Sequence, residues 1–219
     1  MKLKKYHKLI IAADGSAASG KTTGAKIIAR KYGMKFLSSG LLYRYASYKL
    51  LKHKPKNKIP FLKRCFKNLN LSKLNNRNLH LPEISEHSSI IAKQQKIRNI
   101  LKLFQRKFAK KYNKVVIEGR DIQTKILPNA DIKFFFKCNL NVAALRRFKE
   151  LKKRYKNTKL LDVKKAMRIR DNLDKKRKIS PLTQAKNAVI VQTDKLNIKD
   201  MVDKMSKVVE KKIKEKYGN

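Results

Sequence analysis

Apolar positions along this chain fall into two rhythms: short continuous runs, and longer stretches that repeat every three to four residues. The run from Lys8 to Asp14 (KLIIAAD) is continuous and partly β-branched, which predicts a strand buried on both faces. From Lys21 to Tyr32 the apolar residues Ala25, Ile28 and Ala29 share one helical face, and Gly33 supplies a stop. Lys35 to Leu37 reads as a second strand, followed by SSG and a helix from Leu41 to Leu51. Residues 52–80 are rich in Lys, Asn and Pro, with apolar positions too scattered to give a period. Glu83 to Tyr112 is helical in pattern, with a break near Lys96 that would make it two helices. Val115 to Glu118, Ile132 to Cys138 and Ala188 to Thr193 read as the third, fourth and fifth strands. Helical periods cover Val142 to Tyr155, Asp162 to Lys176 and Ile198 to Lys216.

Strands alternating with helices predict an α/β fold with a parallel sheet covered on both faces. A ligand of such a sheet sits at the carboxyl ends of its strands. Three loops follow expected strands directly: Gly15 to Thr22, Ser38 to Gly40 and Gly119 to Asp121. The topology brings all three to one edge of the sheet.

The first loop carries chemistry. Only seven glycines occur in the 219 residues, and three lie in IAADGSAASGKTTG, residues 11–24. Gly15, Gly20, Lys21 and Thr22 fit G-x-x-x-x-G-K-[ST], the phosphate-cradling P-loop, between an expected strand and an expected helix. A chance match in a chain of this composition has a probability of about one per cent or less. The backbone of Gly15, Ser16, Ala17, Ala18, Ser19, Gly20, Lys21, Thr22 and Thr23 would wrap the phosphates of a nucleoside triphosphate. Lys21 would reach the β- and γ-phosphates, and the Thr22 hydroxyl would hold Mg²⁺. A P-loop alone does not name the acceptor, since GTPases, shikimate kinases and nucleotide kinases all carry one. The remainder lacks an N/T-K-x-D guanine-reading motif, which argues against a GTPase.

Composition then changes the picture. The longest apolar runs fall far short of the roughly 18 residues of a membrane span. The basic start MKLKKYHK leads into an apolar run that reads as a buried strand rather than a secretion signal. Cys65 and Cys138 lie far apart without metal spacing, as reduced thiols of a cytoplasmic protein do. The 58 Lys and Arg against 15 Asp and Glu give a formal charge of +43. Of these cations 45 are Lys, spread along the whole chain, so they read mainly as solvated surface with nonspecific RNA contact as a by-product. The 13 Arg are more informative, because a position that keeps a guanidinium in so lysine-rich a chain uses its planar fork. His7, His53, His80 and His87 show no pairing with a nucleophile and read as surface residues.

Four blocks in order resemble one family, the bacterial cytidylate kinases. IIAADGSAASGKTTGAKIIARKYG is similar to their first strand, P-loop and helix, and FLSSGLLYR to their Y-L-D-[ST]-G-x-x-Y-R. EGRDIQTKILPNADIKFFF resembles [DE]-G-R-D-[IM]-G-T-x-V-[FL]-P-x-A-x-x-K-x-[FY], and RIRDNLDKKRKISPL resembles x-x-R-D-x-x-D-x-x-R-x-x-[AS]-P-L. The resemblance implies a three-layer P-loop NTPase fold with strand order 2-3-1-4-5. It also implies one domain whose core comprises 1–39, 113–153 and 183–219, with a nucleotide-binding lobe at 40–112 and a lid at 154–182. The activity it implies is ATP- and Mg²⁺-dependent phosphorylation of CMP and dCMP by a cytoplasmic monomer.

On that resemblance Arg44 and Arg120 would grip the acceptor phosphate, and Asp121 would accept the exocyclic amine of cytosine. Ser89 and Arg98 would complete the base edge, with ordinary helix surface as their other reading. Ser39 would touch the acceptor nucleotide, and equally suits a helix cap before Leu41. Arg146 would contact phosphate, with Arg147 facing solvent. Arg170, Asp174 and Arg177, at i, i+4 and i+7, would share a helix face of a lid. The two arginines would meet the moving phosphoryl group, and Asp174 a ribose hydroxyl. The chain departs from the family pattern at Ser38 (usually Asp), Gln123 (commonly Gly) and Leu173 (often Arg), and residues 52–80 match none of the motifs. A UMP/CMP kinase or another small-molecule P-loop kinase is the enzymatic alternative. The alternative of another class is a basic nucleic-acid-binding protein with a vestigial P-loop.

Overall fold

The apolar run ahead of the glycines forms β1 (Leu9–Gly15), whose residues are buried almost without interruption, as the central strand of a parallel sheet requires. In this computed structural model, which describes residues 3–4, 6–153 and 155–218, β1 pairs with β3 (Lys114–Gly119) on one side and β4 (Ile132–Lys137) on the other. Asp14 stands opposite Gly119 and Phe135 in these registers. With β2 (Lys35–Ser38) and β5 (Val189–Gln192) the sheet is five-stranded, in the expected order β2-β3-β1-β4-β5, with helices on both sides. This is the three-layer P-loop fold expected from the sequence.

The chain divides into two compact units. The first comprises Met1–Phe36 and Tyr112–Asn219. Its main core joins Leu9, Ile11 and Ala13 of β1 to Ala25, Ile28 and Ala29 of α1 (Lys21–Lys31), and to Phe134 and Phe136 of β4. Met201, Met205, Val209 and Ile213 of α8 (Ile198–Tyr217) close this cluster. Burying an aliphatic or aromatic side chain in this way contributes about 1.5–3 kcal/mol each. A smaller cluster holds α6 (Leu140–Lys152) to α7 (Leu160–Lys176) through Ala143, Ala144, Val163 and Met167, with Ala17 and Ala18 of the glycine loop packed against it. Arg154, the first residue of the expected lid, lies outside the described residues. His7 is not a surface residue: it is buried and stacks on Tyr217 with ring centroids 3.9 Å apart.

The second unit is Leu37–Lys111. It contains α2 (Ser39–His53), α3 (Lys58–Lys67), α4 (Pro82–Ile91) and α5 (Gln95–Lys111), with two short 3₁₀ turns between α3 and α4. The segment 52–80, which had shown no period, is therefore ordered. Leu62, Phe66, Leu74 and Leu79 are its buried anchors, and Phe66 sits edge-on between Tyr45 and Phe104 at 5.7 and 5.6 Å. The expected helix break near Lys96 falls at 92–94.

Candidate active site

The loop between β1 and α1 is bent by backbone that side chains resist. Gly20 lies in the left-handed region at φ 78° and Ala18 at φ 50°. A Cβ on Gly15 would stand 2.5 Å from the Phe136 carbonyl oxygen, so only glycine fits there. The loop is braced from within, where Ser19 Oγ donates to the Ser16 carbonyl at 2.9 Å and Lys21 Nζ to the same oxygen at 3.0 Å. It is braced from β5 as well, since the Thr193 hydroxyl donates to the Ser19 carbonyl at 3.0 Å. Arg146 fixes Thr193 in turn, through Nη2 on its carbonyl at 2.7 Å and Nη1 on its hydroxyl at 3.2 Å. Thr193 was not singled out from the sequence, and its one signal was its place as the last residue of the expected fifth strand.

Lys21 is buried, with Nζ 3.9 Å from the carboxylate of Glu118 at the end of β3. Burial and the charges of Arg120 and Arg170 pull its pKa down to about 7, against the opposing pull of Glu118 and Asp174. Glu118 was also missed, although an acid at the end of the strand beside β1 is the kind of residue that stands near a P-loop metal. Thr22 is exposed at the start of α1. Among the described residues no group of three or more His, Cys, Asp or Glu could hold a metal. The oxygen donors near the loop are the Thr22 hydroxyl and the Glu118 carboxylate, hard ligands of the kind Mg²⁺ takes one or two of while keeping its waters.

The turn after β3 places Arg120 beside the glycine loop. Its Nη1 donates to the Gly15 carbonyl at 2.8 Å and its Nε to Asp174 at 2.9 Å. Asp174, on α7, also accepts from Arg177 Nη1 at 3.2 Å. Burial works to raise the Asp174 pKa, but Arg120, Arg177 and Arg170 together hold it below the usual carboxylate range. Arg120 rises despite its burial because of Asp174. Arg170 is driven down to about 10 by burial and by the charge of Arg120. One turn before Asp174, Asp171 Oδ1 accepts the backbone N–H of Ala17 at 3.0 Å, so a carboxylate occupies an amide of the loop expected to cradle phosphate.

Two expectations change here. Arg177 does not share a helix face with Arg170 and Asp174, because α7 ends at Lys176 and Arg177 is extended (φ −62°, ψ 136°). It reaches Asp174 from beyond the helix. Arg147 faces solvent only in part: it is half-buried, pairs with the exposed Glu150 at 2.8 Å, and its charge is felt by Arg170. Leu173 is 43% exposed, so the position that in the resembling family often carries Arg is open to solvent.

Asp121 is buried at the head of a short π-helical turn, Ile122–Ile126. Asp14, fully buried in β1, accepts the N–H of Ile122 at 3.0 Å and of Gln123 at 2.8 Å. Burial pushes its pKa up to about 7 against the pull of those two bonds, and the charge of Asp121 adds to the rise. The Gln123 amide is buried too: its oxygen accepts from Ala185 N at 3.1 Å and its nitrogen faces the Phe134 carbonyl at 3.4 Å. Where the resembling family commonly has glycine, this chain ties the segment after α7 to the turn after β3.

In the second unit, Ser38 rather than Ser39 caps α2, accepting from Leu41 N at 3.3 Å, and Ser39 is the first helical residue. Packing of α4 against α2 brings Arg44 and Ser89 to one residue, Ser85: Arg44 Nη2 donates to its hydroxyl at 3.1 Å and Ser89 Oγ to its carbonyl at 3.4 Å. Arg44 Nη1 donates to the Leu79 carbonyl at 3.0 Å. Arg98 is buried rather than on helix surface, with Nη1 on the Ala92 carbonyl at 2.9 Å and its guanidinium 5.7 Å from the centroid of the Tyr43 ring. Ser85 could have been found only from the spacing of i and i+4 to Ser89.

No helix among the described residues is long and apolar enough to cross a membrane. A family model for cytidylate kinase matches residues 11–211. A cytidylate kinase of Clostridium botulinum (strain Okra / Type B1) is 36% identical over 213 residues, covering 92% of this chain and 97% of that protein. One of Thermosipho melanesiensis is 36% identical over 214 residues, covering 93% and 98%. Among solved structures, a shikimate kinase of Bacteroides thetaiotaomicron is similar at a TM-score of 0.53 and 14% identity, over 92% of this chain and 98% of that one. A protein of Thermus thermophilus is similar at 0.53 and 16%, over 94% and 98%, and both likenesses carry the fold alone. The chain belongs to the cytidylate kinase family.

Proposed function

We propose that this chain transfers the γ-phosphoryl group of ATP to CMP and dCMP, giving ADP and the cytidine diphosphates. Family membership supports the reading, and the observation that carries its chemistry is the placement of Arg120. Its guanidinium touches both the first carbonyl of the glycine loop and Asp174 of α7, so a guanidinium suited to an acceptor phosphate adjoins the donor loop.

In this reading the loop amides and Lys21 hold the donor phosphates, while Arg120 and Arg44 take the acceptor-phosphate roles that family membership supports. Asp121 takes the cytosine amine, with Arg98 and Ser89 at the base edge and Ser39 on the acceptor nucleotide. An acceptor-phosphate oxygen attacks the γ-phosphorus as the bond to the β–γ bridging oxygen breaks. The step needs positioning and charge rather than a general base. Arg146, Arg170 and Arg177 supply positive charge about the moving group, and Asp174 contacts a ribose hydroxyl. The Thr22 hydroxyl would hold Mg²⁺ with the ATP phosphates, where the ion neutralises their charge. Segments 40–112 and 154–182 would serve as the acceptor lobe and the lid.

Steady-state ADP release with CMP, dCMP, UMP and AMP tests the assignment, in the wild type and in Asp121→Asn. We expect CMP and dCMP to dominate, and the variant to lose about 100-fold in CMP over UMP preference, since an amide can turn its NH₂ to the uracil carbonyl as readily as its oxygen to the cytosine amine. Equal turnover of UMP and CMP by the wild type would remove the cytosine edge from Asp121.

A further inference from the structure

Asp121 sits at the position where an aspartate ordinarily caps the helical turn that follows it, because its carboxylate can accept from the first free N–H groups. Here its side chain makes no such cap bond. The cap comes from a residue 108 positions away: Asp14 reaches across from β1 and accepts both Ile122 N–H and Gln123 N–H. Asp14 has no exposed surface, and it immediately precedes Gly15, whose carbonyl receives Arg120. The carboxyl thus joins the base of the glycine loop to the turn bearing Arg120 and Asp121. The turn is also tied by Lys125 N–H and Ile126 N–H on the Asp121 carbonyl and by Leu127 N–H on that of Ile122. A buried carboxylate accepting two backbone donors is among the stronger local restraints available.

We propose that Asp14 is a positioning residue for acceptor recognition: by capping the 122–126 turn from β1, it fixes Arg120 and Asp121 and keeps the Asp121 carboxylate from capping that turn itself. This rests on the proposed CMP kinase reading. An uncapped turn has two buried N–H groups in want of an acceptor, and the side chain nearest in sequence able to supply one is that of Asp121. Asp121 would swing back onto its own turn, and the acceptor side of the reaction would suffer while the donor side held.

The test is Asp14→Asn, close to isosteric but carrying an NH₂ group that must oppose one of the two N–H donors. KM for CMP should rise about tenfold or more with KM for Mg-ATP changed less than about threefold, and the CMP over UMP preference should fall toward that of Asp121→Asn. The double variant should be no worse than Asp121→Asn alone, because both remove one function. Equal rises in the two KM values would overturn the proposal by making Asp14 a prop of the glycine loop. So would a loss of thermal stability with unchanged kinetic constants, or additive losses in the double variant. If Asp14→Asn does not fold, amide hydrogen exchange in the wild type decides: strong protection of Ile122 and Gln123 supports the cap, and exchange as fast as in exposed loops overturns it. That measurement needs no turnover, so a wild type inactive toward CMP would sink the kinase reading and leave the cap to be judged separately.

Discussion

Binding of a phosphate chain should draw a proton onto Lys21. Its amine is buried, and burial with Arg120 and Arg170 lowers its pKa from 10.5 to about 7. The group then costs the folded, nucleotide-free protein about 5 kcal/mol below pH 7, an order-of-magnitude figure. The sign follows from a lowered pKa: the contribution to stability is complete above 10.5 and is lost as pH falls through about 7. A polyphosphate beside the amine restores its ordinary affinity for a proton. At pH 8 about a tenth of the lysine is protonated beforehand, so nucleotide binding should take up about 0.9 proton; at pH 6 it should take up about 0.1. Titration calorimetry at pH 8 in buffers of different ionisation heat reads this number, at a pH where free ATP is fully ionised. In Lys21→Arg the guanidinium stays charged and the uptake should vanish. Uptake near zero in the wild type, or the same uptake in Lys21→Arg, would refute the assignment of a largely neutral lysine to the empty loop.

Two further outcomes follow from the loop's neighbours. Because Asp171 holds the Ala17 amide, a nucleotide must displace it, and Asp171→Asn should bind Mg-ATP roughly three- to tenfold more tightly. Unchanged or weaker affinity in an equilibrium titration would contradict that competition. Gly15→Ala would press a Cβ within 2.5 Å of the Phe136 carbonyl oxygen and 2.8 Å of its Cβ, an overpacking cost of about 1–3 kcal/mol or more. Its denaturant midpoint should fall accordingly, and an unchanged midpoint would show that the strand pair yields freely.

What the sequence revealed depended on how local the signal was. The glycine loop, the five strands and the arginine blocks were legible because spacing within a few residues carries them. Arg177 was misplaced because the i, i+4, i+7 rule assumes a helix that continues, and none of residues 174–178 is Gly or Pro to announce the end at Lys176. The order of 52–80 was hidden by lysines diluting its period; Asn70 and Asn76 cap its two short turns, which only the fold makes visible. His7 was misjudged because its partner, Tyr217, lies at the other end of the chain. Asp14, Glu118 and Gln123 act on groups far from them in sequence, and no local pattern names such partners.

The most direct test of the whole account follows the phosphorus itself. A ³¹P spectrum of the protein with Mg-ATP and CMP should show the β-phosphate of CDP growing one for one with ADP, and no ATP consumption when CMP is left out. ATP loss without CDP, or no change in either nucleotide, would contradict the central claim that this chain moves a phosphoryl group onto CMP.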